Sequence, residues 1–96
     1  MTHALKIEHD YFMEIAAGNK RFEVRKKDRD YQVGDILALN ECKLGKYTGD
    51  CVFASIDYIL DNSCYCKEGY VIMSISLVDI HRGIITRDSV VKAERS

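Results

Sequence analysis

Nine of the eleven residues from Lys20 to Asp30 are charged, and they carry both signs. Within that run Glu23 and Arg25 stand two apart, within reach of each other. A carboxylate beside a guanidinium can hold it in a fixed pose through short, charge-assisted hydrogen bonds. Lys20 opens the run, and Asp28 and Arg29 close it. Such a set can read a nucleobase. A carboxylate accepts from an exocyclic amine, while Arg or Lys donates to a carbonyl or a phosphate. Tyr31 and Tyr47 fall in expected flanking loops, where an aromatic ring can stack on an unpaired base. Thr48 adds a hydroxyl beside Tyr47, and Lys6 adds a further cation to the candidate binding set.

The bland reading stands beside this one. A charged strand face is usually a solvated surface with weak ion pairs. By the same reasoning His3, His9, His81 and Asp57 are expected at the surface. An enzyme would need a nucleophile or a base. Lys20 could activate water or substrate if burial disfavoured its charge, and Glu23 could act as a general base. Thr48 is the best-placed hydroxyl. No Ser-His-Asp set and no phosphate-cradling glycine loop is present, so spacing alone supports catalysis weakly. Of the four cysteines, only Cys64 and Cys66 are close, at C-x-C rather than paired C-x2–4-C spacing. Cys42 and Cys51 read as buried thiols on strands, with Cys64 and Cys66 in a loop. Neither a metal nor a cofactor is expected.

The elements that must position these residues follow from periodicity. Thr2 to Ile7 reads as a first strand. His9 to Ala17 reads as a helix, with Phe12, Ile15 and Ala16 on one face, Asp10 in the first turn and Gly18 as the terminating residue. Lys20 to Lys27 reads as a strand with Phe22 and Val24 on the core face and Arg21, Glu23 and Arg25 on the other. Asp28 to Gly34 reads as a loop, and Asp35 to Asn40 as a strand apolar on both faces. Lys43 to Gly49 is an expected polar loop. Cys51 to Leu60 alternates, with Val52, Ala54, Ile56, Tyr58 and Leu60 on one face. After an Asp61 to Gly69 loop, Tyr70 to Ile80 aligns Val71, Met73, Ile75 and Leu77. Beyond His81, Ile84 and Ile85 suggest a short strand, and Ser89 to Arg95 a frayed helix. Five or six strands with one early helix imply a mainly β, α+β fold, a small curved sheet closing toward a barrel.

Ninety-six residues allow one domain, expected over 1–80, with 81–96 as a C-terminal extension. No apolar run reaches the length of a membrane span, and the N-terminus lacks a secretory leader pattern, so the expected location is cytoplasmic. Net charge is −1, but Lys20 to Asp30 is +3 and the remainder −4. A local positive patch on a near-neutral body suits a small anionic ligand or a short single strand better than a long duplex.

The octet Gly18-Asn19-Lys20-Arg21-Phe22-Glu23-Val24-Arg25 resembles the G-x-K-x-x-E-x-R signature of ASCH domains, small β-barrels of the PUA-like superfamily. The likeness extends to compact proteins of unknown function from bacteria and phages. It starts with Thr2-His3, Leu5-Lys6-Ile7 and Tyr11-Phe12. It continues through Phe22 to Asp35, Tyr47-Thr48-Gly49 and Tyr58-Ile59-Leu60, and ends at Gly69 to Ile75. The resemblance implies a barrel with a cleft between the early helix and the sheet, lined by Lys20, Glu23 and Arg25. It implies a module that binds single-stranded RNA or a modified nucleoside. The alternative is a nucleoside amidohydrolase or a ribonuclease using Lys20 and Glu23. One ASCH branch deacetylates acetylated cytidine with a Lys, a Thr and a more distant Glu. Lys20 matches that Lys, but Glu23 stands where the Thr would be.

Overall fold

A computed structural model describes residues 1–62 and 64–83. The expected strand at Ile84 and Ile85 and the expected helix at Ser89 to Arg95 lie outside the described residues. The element order is β1 (Thr2–Glu8), α1 (His9–Ala16), β2 (Phe22–Lys26), β3 (Ile36–Lys43), β4 (Lys46–Leu60) and β5 (Tyr70–His81). The five strands form one curled sheet, a half-barrel, in the order β1-β3-β4-β5-β2. β1 pairs with β3 in parallel, and every other pairing is antiparallel. Thus β1 and β2 are the two edges of the sheet, and they do not pair with each other.

The core fills the concave side. Ile7 of β1, Leu37 and Leu39 of β3, Val52, Ala54 and Ile56 of β4, and Val71, Met73 and Ile75 of β5 all point inward. α1 completes it. Its apolar stripe places Phe12 and Ile15 against the sheet, and both are fully or almost fully buried. The helix ends where expected. Gly18 has φ +80°, the Gly18 amide donates to Ile15 and the Asn19 amide to Glu14. This is the doubly bonded glycine termination that satisfies the last carbonyls of a helix. It turns the chain sharply back toward β2.

Several expectations need correction. β3 and β4 meet in a tight hairpin, so Lys43 to Gly49 is not a loop and Tyr47 and Thr48 lie on β4. The two turn residues, Leu44 and Gly45, both have positive φ (52° and 78°), the geometry that matches strand twist. Leucine there is uncommon, so the usual Asn-Gly signal is missing. On β4, the expected inward row stops at Ile56. Asp57 is an extra residue in the pairing with β5, and the bulge shifts the phase so that Tyr58 points out and Ile59 packs inward. Leu77 on β5 is also substantially exposed.

The most consequential correction concerns β2. Phe22 and Val24 are about half exposed, whereas Glu23 is only 3% exposed. Glu23 pairs with Met73 and Arg25 with Val71, both inward-facing residues of β5, and directly opposed residues share a face. Period two correctly grouped the side chains of β2 but could not say which group faces in.

Candidate functional site

The two unpaired sheet edges leave a seam, and a cleft of about 520 Å³ occupies it. Its wall residues are Lys6, Ile7 and Glu8 from β1, Tyr11 from α1, Lys20 from the α1–β2 connection, and Phe22 to Arg25 from β2. Because β2 is an edge, the cleft wraps around it and meets side chains from both faces. Four of the residues singled out from the sequence, Lys6, Lys20, Glu23 and Arg25, therefore meet in one place.

Glu23 organises the site. Lys20 Nζ donates to Glu23 Oε1 at 2.6 Å, and Arg25 Nε donates to Glu23 Oε2 at 2.8 Å. The buried carboxylate is thus held between two cations, each partly open to solvent. Lys20 Nζ also donates to the Phe22 carbonyl at 2.7 Å. Arg25 reaches across the seam, where Nη2 donates to the Lys6 carbonyl of β1 at 3.0 Å. That contact joins the two edges by one guanidinium where a closed barrel would have a strand ladder. Both carboxylate oxygens keep lone pairs, and the ammonium and guanidinium keep N–H donors beyond these bonds. The site can therefore offer acceptors and donors side by side to a planar polar ligand.

Two aromatic residues flank this polar floor. Lys20 Nζ lies 4.8 Å from the centre of the Phe22 ring and 5.6 Å from that of Tyr11. Both rings are about half exposed at the cleft. Such rings provide flat apolar surface for stacking, and the ammonium against their faces adds a cation–π contact. The sequence reading missed both as platforms. Tyr11 reads as one helix residue among others and Phe22 as a core residue. The signal for Tyr11 was that it lies off the Phe12–Ile15 stripe.

The remaining expected residues lie elsewhere. Tyr31 does not line the cleft. It is buried in the core, its ring centre 4.8 Å from that of His3, and burial pushes its phenol pKa upward. Arg29 and Tyr31 border a separate depression of about 230 Å³. Tyr47 and Thr48 are on β4, away from the cleft wall. Thr48 Oγ1 donates to Glu41 Oε1 at 2.6 Å, and His9 Nδ1 lies 2.6 Å from Glu41 Oε2. His9 is therefore engaged with a buried carboxylate rather than isolated at the surface. His3 is buried as well, with Nε2 2.7 Å from Asp35 Oδ2. That contact, with bonds from the Met1 amino group and the Gln32 amide, holds the Asp35 pKa down at about 2. Asp57 is exposed, as expected.

The cysteines are all thiols. Cys42 and Cys51 are buried on β3 and β4, and burial pushes the Cys51 pKa up to about 11, which makes it a poor nucleophile. Among the described residues no group of three or more His, Cys, Asp or Glu side chains is placed to hold a metal ion. No helix among them is long and apolar enough to cross a membrane.

Comparison with known proteins places the chain. It is 41% identical over 78 residues to an uncharacterised 12.9 kDa protein encoded in the GpA 3′ region of Escherichia phage P2, a match covering 81% of this chain and 71% of the phage protein. Its fold is similar to the crystal structure of the hypothetical protein PH0355, with a TM-score of 0.57 and 16% identity, covering 81% of this chain and 100% of the other. The sequence model of one family, described as a domain of unknown function (DUF3850), matches residues 2–75. The chain, with its open seam and buried Glu23, belongs to that family.

Proposed function

We propose that this protein is a binding module for single-stranded RNA or a modified nucleoside, which it takes into the cleft between β1 and β2. One observation carries the reading. A buried carboxylate, Glu23, sits between Lys20 and Arg25 on the floor of an open cleft whose rim presents two exposed aromatic rings. Polar groups of both kinds suit the edge of a nucleobase, and the rings suit its face. The wall carries Lys6, Lys20 and Arg25 against Glu8 and Glu23, a balance that favours a ligand with negative charge. The likeness of the Gly18–Arg25 octet to ASCH domains, and through them to PUA-like barrels, supports the same assignment.

Titration of the labelled protein with nucleosides and short single-stranded RNAs, followed by NMR, tests it. Shifts are expected at Tyr11, Lys20, Phe22, Glu23 and Arg25. Their absence at millimolar ligand would overturn the reading.

The hydrolytic alternative draws on the 2.6 Å Lys20–Glu23 contact, which sets a proton donor and an acceptor side by side. It gains nothing from Thr48, whose hydroxyl is committed to Glu41 outside the cleft wall. Turnover of an acylated nucleoside or of RNA that disappears in Glu23→Gln would favour hydrolysis over binding alone.

A further inference from the structure

A second depression, of about 280 Å³, adjoins the cleft. It is lined by Ile15, Gly18, Lys20, Arg21, Ile75, Ser76 and Leu77, so Lys20 belongs to both. The divider is the short Gly18–Arg21 connection that the glycine termination of α1 bends toward β2. The first cleft lies within the roughly 300–1,000 Å³ of small-ligand sites and the second just below that range. The second is therefore the size of an annex rather than an independent site.

The lining of the annex combines cationic and apolar groups. At the dividing end stands Arg21, exposed, with Nε donating to the Gly18 carbonyl at 3.0 Å. That bond orients the guanidinium, and its two Nη groups have no hydrogen-bond partner among the described residues. The apolar lining is chiefly the exposed Leu77, with the buried Ile15 and Ile75 beside it. A phosphate is thus attracted to Lys20 and Arg21, while an apolar face fits the remaining lining.

We propose that the natural ligand spans both depressions and is at least a dinucleotide. One base occupies the cleft, the linking phosphate crosses the divider at Lys20 and Arg21, and the neighbouring base rests on Leu77. The proposal rests on the reading of the cleft as a nucleobase site. It adds that the protein recognises a strand rather than a free nucleoside.

Calorimetric titration with the four ribonucleosides, their 3′-monophosphates and the matching homodinucleotides tests it. The dinucleotide is expected to bind at least about tenfold more tightly than the 3′-monophosphate, the scale of one additional stacked base. Leu77→Glu should remove that gain, Arg21→Ala should weaken the 3′-monophosphate and the dinucleotide alike, and both should leave nucleoside affinity within about twofold. Both residues are exposed, so folding is not at risk, and circular dichroism would verify it. Equal affinity for monophosphate and dinucleotide, a gain that survives Leu77→Glu, or a phosphate contribution that survives Arg21→Ala would overturn the two-site ligand while leaving the cleft reading intact. No binding of any of the three classes would overturn both.

Discussion

Glu23 and Glu41 invite a direct comparison. Each is a buried carboxylate on a β-strand, only 3% and 4% exposed, and each is held by two side chains at hydrogen-bond distance. The partners differ, and so do the surroundings. Glu41 ties the first residue of α1, His9, to Thr48 of β4 at the β3–β4 bulge, outside the cleft wall. Glu23 ties a loop lysine to a strand arginine at the unpaired seam, where the sheet leaves open space beside it. A buried ion-paired acid is therefore not a site in itself. It becomes one where an open wall lets its partners keep donors for something else.

Substitutions at the two acids should separate these roles. The largest effect is expected for Glu41→Ala. It strips a buried acceptor from both His9 and Thr48 and should lower unfolding free energy by about 2–4 kcal/mol in urea denaturation. Affinity for any cleft ligand should stay within about twofold of the parent. A stable Glu41→Ala protein that had lost binding would invert the comparison.

Glu23→Gln should act the other way. It keeps the shape but replaces one acceptor oxygen by a donor facing a cation. Ligand affinity measured by NMR titration should fall by about tenfold to a hundredfold, the scale of a lost charge-assisted hydrogen bond. The stability change should be smaller than that of Glu41→Ala, because glutamine keeps the side-chain volume and one acceptor oxygen where alanine removes both. Tyr11→Ala comes next. Its ring is exposed, so folding should change by less than about 0.5 kcal/mol, while loss of a stacking surface should weaken binding by about 1 kcal/mol or more.

A third buried carboxylate, Asp35, sharpens the comparison at its smallest effect. Its folded pKa of about 2 lies below the ordinary 3.8, chiefly because of His3. A carboxyl group with a depressed folded pKa stabilises the fold above its unfolded value and loses that contribution as pH falls through the folded one. Stability measured between pH 5 and pH 2 should therefore decline more steeply in the parent than in Asp35→Asn, with the difference developing below about pH 4. Identical slopes would remove Asp35 from the class of structural acids.

Much of the fold was legible from the sequence because it depends on local rules. Alternation in Val52–Ile56 and Val71–Ile75 marks buried strand faces, the Phe12–Ile15 spacing marks the helix, and Gly18 marks its end. The bulge at Asp57 and the hairpin at Leu44–Gly45 were not legible. Both depend on pairing between strands, and Leu44 stands where a hairpin turn usually has Asn, Asp or Gly. The candidate site divides in the same way. Lys20, Glu23 and Arg25 are close in sequence and stayed together in space. Tyr31 and Thr48 are candidates by residue type alone, and the fold commits each to a different neighbour.

The sequence by itself determined the mainly β architecture, the early helix, and the cluster of charge at Lys20–Arg25, since these follow from periodicity and short separations along the chain. Only the tertiary structure decided the orientation of β2. An edge strand that pairs with β5 must share its inward face, which turns Glu23 and Arg25 toward the interior and leaves Phe22 and Val24 at the rim. It also decided that β1 and β2 would not pair, because strand order is set by contacts among residues far apart in sequence. That unpaired seam is what gives the charged strand a cleft to line.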